Sequence, residues 1–266
     1  MGHVLLVTIL LAIVGHPALA QREANPARQW QIDGVTRTAL VFVPEAAQKP
    51  NAAPVPVVFA FHGHGGNSRA VARNYGFQRL WTEAIVVYMQ GLPTPGMTDP
   101  EGKKPGWQRI KGDQGDRDLK FFDTVLASLK EQYPVDAKRI YAMGHSNGAG
   151  FTYLLWAERG ERFAAFAPVA GGGRSLQSLT PKPVLHIAGE KDPLVQIENQ
   201  RRVMETIRRV NGCEAEGREW AKYAVWYSSP KNAPVVTCIH PGNHKFPNFA
   251  PALIVRFFQE IGAKGN

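Results

Sequence analysis

The chain has 266 residues, 44% of them hydrophobic and 20% charged, with a formal net charge of +9. These proportions exclude wholesale disorder and suit one α/β domain or two small ones around a buried core. The positive charge leaves polyanions open as partners, but no nucleic-acid-binding motif accompanies it. The densest basic cluster, Arg201, Arg202, Arg208 and Arg209, reads as the solvated face of one helix.

Val4 to Val14 is an apolar run broken only by Thr8, and Ala18-Leu19-Ala20 fits a small-x-small cleavage site. Residues 1–20 therefore read as an export signal, too short for a spanning helix of about 20 residues. The mature protein would begin at Gln21 and be secreted or periplasmic, with no membrane attachment once the signal is removed. Residues 21–28 are expected to be a mobile mature terminus and 29–266 a single domain. The two cysteines, Cys213 and Cys238, in an exported chain most simply form one disulfide, the alternative being two buried thiols.

Gln29 to Ile32 and Val35 to Val43 alternate as strands, and Asp33-Gly34 between them is a hairpin turn signal. Val55 to Phe61 is apolar throughout, as expected of a strand buried on both faces. It runs into His62-Gly63-His64-Gly65-Gly66-Asn67. A helical stretch, Ser68 to Trp81, is interrupted near Gly76, and Ala84 to Met89 is the next buried strand. Gln90 to Gln108 is rich in Gly and Pro and structureless by pattern; loops of this length are uncommon unless functional. Asp116 to Tyr133 is the clearest helix, with Leu119, Phe122, Leu126, Leu129 and Tyr133 on one stripe and Pro134 as its stop.

Arg139 to Met143 is a strand leading into Gly144-His145-Ser146-Asn147-Gly148, which matches G-x-S-x-G. Ala149 to Arg159 follows as a helix, so Ser146 sits where a strand turns sharply into a helix. Phe163 to Val169 and Val184 to Ala188 are further strands. The Arg-rich helix covers about 196–210, Val235 to Ile239 is the last strand, and Phe249 to Ile261 is a closing helix. Strands alternating with helices predict an α/β fold: a mostly parallel central sheet, helices on both faces, and an N-terminal antiparallel hairpin. Right-handed crossovers place every loop after a parallel strand along one sheet edge. Ser146, His64, Asp192 and His244 all follow predicted strands and converge there.

A serine hydroxyl needs a base to take its proton, and that base needs an acid to fix its tautomer. His244, in the Pro241-Gly242-Asn243 turn, is favoured over His240, which lies closer to the strand. Asp192 is favoured over Glu190 because the Asp192-Pro193 pair turns a short carboxylate back over the edge. The order Ser146, Asp192, His244 is that of the α/β-hydrolases. An oxyanion hole is expected from the Asn147 and His64 main-chain N–H groups. His62-x-His64 is a conceivable start to a metal site, but no Asp-His pair or H-E-x-x-H completes it, and no G-K-[ST] follows the glycines. Neither metal nor cofactor is expected.

Phe61-His62-Gly63, the Trp107 loop, Arg139-Ile140-Tyr141, Gly144 to Gly150, Asn211-Gly212-Cys213, Cys238 and Gly242 to Pro247 together resemble the esterase/poly(3-hydroxybutyrate) depolymerase group of the α/β-hydrolases. That group includes the feruloyl and acetylxylan esterases of carbohydrate esterase family 1. The resemblance implies Ser146 as nucleophile, Asp192 as acid, His244 as base and a Cys213–Cys238 bridge. Asn243 and Phe246 stand where the group usually has glycine and tryptophan. The implied activity is serine hydrolysis of small or polymeric carboxylic esters, with feruloyl or acetyl esters of plant polysaccharide first and hydroxyalkanoate polyester or its oligomers as the alternative. A peptidase or a non-catalytic binding module on the same fold is the more distant reading. Trp107 and Phe246 are candidates to stack on substrate rings at the rim.

Overall fold

In the computed structural model, which describes residues 26–174 and 176–264, the chain folds around a ten-stranded sheet. The expected export signal at 1–20 and the start at Gln21 lie outside those residues. Strands β1 (Ala27–Ile32) and β2 (Val35–Phe42) form the antiparallel hairpin. Asp33 and Gly34 at its turn take φ of 50° and 78°, the left-handed geometry a two-residue hairpin requires. β1 begins at Ala27, inside the segment expected to be mobile, because Arg28 is anchored across the fold. Its guanidinium donates to Gln132 Oε1 and the Tyr133 hydroxyl.

β3 (Val55–Phe61) is buried at every position. Helices α1 (Ser68–Tyr75) and α2 (Phe77–Leu80) are separated at Gly76. After β4 (Ile85–Met89), two short strands, β5 (Leu92–Pro93) and β6 (Pro105–Gly106), pair with each other. Next come α3 (Arg117–Gln132), β7 (Val135–His145), α4 (Asn147–Arg159), β8 (Ala165–Val169), β9 (Val184–Gly189) and α5 (Ile197–Asn211). The chain closes with β10 (Arg218–Ala221), β11 (Ala224–Tyr227), β12 (Val235–His240) and α6 (Ala250–Lys264). The sheet order is β1-β2-β4-β3-β7-β8-β9-β12-β11-β10. The run from β4 to β12 is parallel, and the strands outside it are antiparallel.

The β10–β11 hairpin is an addition to the expected elements. Each strand has four residues, and the turn at Lys222-Tyr223 carries no glycine or asparagine, although Tyr223 takes φ 68°. Neither an alternation long enough to read nor a turn signature marks it.

Side chains alternate across the sheet and feed two cores. On one face Phe59, Phe61, Val87, Ala142 and Phe166 pack with Phe122, Leu126, Phe151, Leu155 and Ile207, so α3, α4 and α5 cover it. On the other, Val58, Ala60, Tyr88, Met143 and Ile187 pack with Val71, Phe77, Ile254 and Phe258, so α1, α2 and α6 cover that side.

This division corrects the expected disulfide. Both cysteines are free. Cys213, just past α5, packs against the first core, whereas Cys238 of β12 lies in the second. The sheet stands between their side chains, and a disulfide needs Cβ atoms within about 4.5 Å of each other. Burial pushes the Cys238 thiol up to about 12. Reductant is therefore expected to leave the melting temperature within about 1 °C, and Ellman's reagent to reach Cys238 only after unfolding.

Candidate active site

Ser146 occupies the turn between β7 and α4 with φ 56° and ψ −117°, a conformation costing about 1–3 kcal/mol that the surroundings must enforce. They do so by close packing. A Cβ on Gly144 would fall 2.1 Å from Gly148 O, and one on Gly148 would fall 2.5 Å from Phe61 O. Only glycines let the turn nest against β3. The Ser146 N–H donates to Val169 O at 2.9 Å, which ties the turn to β8 and leaves the hydroxyl standing above the sheet edge.

The loops after β9 and β12 are stitched together: Glu190 N–H donates to His240 O, and Lys191 N–H to Gly242 O. That contact brings His244 over Ser146. His244 Nε2 lies 2.8 Å from Ser146 Oγ, and His244 Nδ1 lies 2.8 Å from Asp192 Oδ2. The carboxylate accepts the Nδ1 proton, so the bare Nε2 accepts from the serine hydroxyl. Asp192 is fully enclosed at its side chain, and its other oxygen accepts the Leu194 and Val195 N–H groups at 2.8 Å each. His240 instead accepts the Gly242 N–H at its Nδ1 and lies edge-on to Phe249. Glu190 is exposed. The structure thus brings together Ser146, His244 and Asp192 and leaves both alternatives outside the relay.

Three further residues extend the relay inward, and no local sequence signal pointed to them. The Tyr153 hydroxyl lies 2.7 Å from His186 Nδ1, and His186 Nε2 lies 3.1 Å from Gln200 Oε1. The Gln200 amide nitrogen reaches Val195 O at 2.8 Å and Asp192 Oδ2 at 3.4 Å. These groups come from α4, β9 and α5 and meet only in the folded chain.

The main-chain N–H groups of His64 and Asn147 donate to no partner among the described residues, and both residues line a cavity of about 460 Å³ with Ser146. The Asn147 side chain is occupied elsewhere: its Oδ1 accepts the Trp107 N–H and its amide donates to Trp107 O. A second cavity of about 420 Å³ meets the first at Ser146 and His64 and is lined by His244, Phe246 and Tyr75. Phe246, half-buried, stacks on Tyr75 with centroids 3.8 Å apart and therefore presents an aromatic wall to this second cavity.

Trp107 does not stand at the rim. It is fully buried, flat against Phe151 and edge-on to Phe61, and its indole N–H donates to His62 O. The correction has a physical reason: the ring finds both an apolar slot and an acceptor for its one polar group there. The surrounding 90–108 loop is ordered rather than structureless. His64 Nε2 contacts Asp99 Oδ2 at 3.1 Å, Gly65 N–H donates to Pro105 O, Arg117 donates to Pro93 O, and Asp118 accepts the Gln108 N–H while pairing with Arg37.

Three buried histidines are held neutral. Burial lowers His62, His145 and His186 to about 4. His62 Nε2 accepts the Gly91 N–H and its Nδ1–H donates to Gly63 O. His145 Nε2–H donates to the His244 carbonyl, so the ring next to the relay adds no positive charge. Each folded value lies below the ordinary histidine value near 6.5. The unfolded chain therefore binds more protons between those limits, and stability present above 6.5 is lost as pH falls towards 4. The urea midpoint is expected to drop steeply from pH 6.5 to 4, as the unfolding free energy falls by an amount on the order of several kcal/mol in all; a flat profile would contradict the neutral assignment.

Comparison with known proteins sets the chain beside hydrolases. Residues 101–178, which include the serine turn, match the Prolyl oligopeptidase family. Feruloyl esterase D of Neurospora crassa is 23% identical over 233 residues, covering 80% of this chain and 75% of that protein. Putative esterase NocK of Nocardia uniformis is 31% identical over 175 residues, covering 63% of this chain and 48% of the relative. Acetyl xylan esterase from Aspergillus awamori superposes with a TM-score of 0.68 at 14% identity, over 88% of this chain and 98% of that one; at that identity the likeness speaks for the fold. The chain thus has the α/β-hydrolase fold and is similar in sequence to esterases.

Proposed function

We propose that the protein is an exported serine esterase that cleaves feruloyl or acetyl esters of plant polysaccharide through an acyl-enzyme. The observation that carries the mechanism is the relay of two 2.8 Å contacts from Asp192 through His244 to a serine held at positive φ. In this reading Ser146 Oγ attacks the ester carbonyl as His244 takes its proton. The His64 and Asn147 N–H groups receive the developing oxyanion, and removal of such a donor typically costs about 10²–10³ in turnover. His244 then protonates the departing alcohol, and water enters by the same route to release the acid. Feruloyl esterase D, as a relative similar in sequence, supports the choice of substrate. The pattern at 1–20 supports export.

A hydroxyalkanoate polyester or its oligomers form a second reading, favoured by the apolar Leu194, Val195 and Val203 in the larger cavity, which suit an aliphatic hydroxyacid chain. The match to the Prolyl oligopeptidase family covers the serine turn and raises amide cleavage as the contrasting outcome. The test is product release by the purified protein from methyl ferulate, acetylated xylan, hydroxybutyrate oligomers and a peptide anilide. Ferulate or acetate release should exceed the others. Anilide cleavage faster than any ester would overturn the esterase reading.

A further inference from the structure

We propose that Arg109 and Arg174 form an anion-recognition pair, selecting esters whose acyl group carries a carboxylate at its far end. The inference rests on the serine-esterase reading and adds to it the chemistry of the acyl group. Two cavities meet at Ser146. His244 hands its proton to the departing oxygen, so the cavity containing His244 and Phe246 takes the alcohol side. The other, of about 460 Å³, contains Asn147 but not His244 and takes the acyl side.

That acyl cavity has an unbalanced charge. Leu194, Val195 and Val203 make part of its wall, both arginines line it, and among the described residues no Asp or Glu does. Four arginines elsewhere are neutralised at short range, Arg37 by Asp118, Arg139 by Asp136, Arg159 by Asp123 and Arg256 by Glu260, at 2.6–2.8 Å, whereas no carboxylate among the described residues neutralises the pair in this cavity. The guanidinium groups of Arg109 and Arg174 form no hydrogen bond or ion pair among the described residues. Both are exposed, so each stays hydrated and open to an incoming anion.

Each arginine also lies two or three residues along the chain from a residue packed against the nucleophile turn. Arg109 follows two residues after Trp107, whose main chain is pinned to Asn147 by two hydrogen bonds. Arg174 follows Gly171-Gly172-Gly173. A Cβ on Gly171 would lie 2.7 Å from Ser146 O, so this segment leaves β8 directly against the serine. Two cationic forks at the mouth of an apolar cavity match an acyl chain with a hydrocarbon body and a terminal carboxylate, which a guanidinium binds by paired charge-assisted hydrogen bonds. In the reaction the Ser146 Oγ–acyl bond forms as the ester C–O bond to the alcohol breaks and the serine proton leaves on the alcohol. Water then splits the acyl-enzyme and releases a dicarboxylate.

The test compares kcat/KM for 4-nitrophenyl hemiadipate, 4-nitrophenyl hexanoate and 4-nitrophenyl 6-aminohexanoate, which share a six-carbon acyl chain and differ in terminal charge. The wild-type protein should favour the hemiadipate over the hexanoate by about tenfold, and the ratio should shrink at high salt. Arg109→Gln/Arg174→Gln should abolish the preference, and Arg109→Glu/Arg174→Glu should transfer it to the aminohexanoate, a reversal that mere loss of structure would not produce. Equal or better turnover of the hexanoate by the wild type would overturn the inference and leave the esterase reading standing. Failure to hydrolyse any of the three would overturn both.

Discussion

Ser146→Ala is expected to lower kcat on 4-nitrophenyl acetate by roughly 10⁴- to 10⁶-fold. The argument is geometric. In the proposed mechanism the hydroxyl at 146 is the group that forms the bond to the acyl carbon, and His244 Nε2, 2.8 Å away, has no other proton to collect. The residual rate would come from the oxyanion donors and substrate positioning alone. KM should change little, and the melting temperature should hold, because alanine keeps the same backbone strain as serine. Ser146→Gly makes the complementary case: relief of φ 56° should raise stability by about 1 kcal/mol or more while abolishing turnover as fully as alanine. Retention of turnover in either variant would show that the hydroxyl does not carry the reaction.

Asp192→Asn should cost about 10⁴-fold in kcat with little change in fold. The carboxamide oxygen can still accept the Leu194 and Val195 N–H groups that now bond Oδ1. Its NH₂ would then face His244 Nδ1 where a carboxylate oxygen now lies at 2.8 Å. An NH₂ there donates, so Nδ1 must be bare and the imidazole proton moves to Nε2. The ring then points a proton at Ser146 instead of accepting one. The loss should appear in kcat, not in KM or in the urea midpoint. A variant within tenfold of wild type would mean that His244 does not depend on this carboxylate.

Much of the fold was legible because its signals are local and long. Val55–Phe61 and Ile85–Met89 are unbroken apolar runs, which only strands buried on both faces need, and Gly144 and Gly148 mark a turn too tight for a Cβ. The meeting of Ser146, Asp192 and His244 was foreseeable because each follows a parallel strand, and right-handed crossovers send those loops to one edge. What escaped depends on sidedness or distance. Cys238 and Cys213 look pairable in sequence, but strand register sends the Cys238 thiol to the opposite core. Trp107 sits among glycines and prolines and reads as a rim residue, yet the His62 carbonyl and the Phe61 and Phe151 rings draw it inside. The Tyr153–His186–Gln200 chain joins three elements, so no window of sequence contains it. The short β10–β11 hairpin lacks the residues that usually announce a turn.

The proposed nucleophile is open to one direct measurement: incubation of the folded protein with a fluorophosphonate, followed by intact-mass and peptide-mass analysis. A single adduct on the peptide containing Ser146, absent from Ser146→Ala and formed far more slowly in His244→Ala, is the predicted result. Ester turnover that persists with Ser146 unlabelled, or an adduct on any other residue, would contradict it.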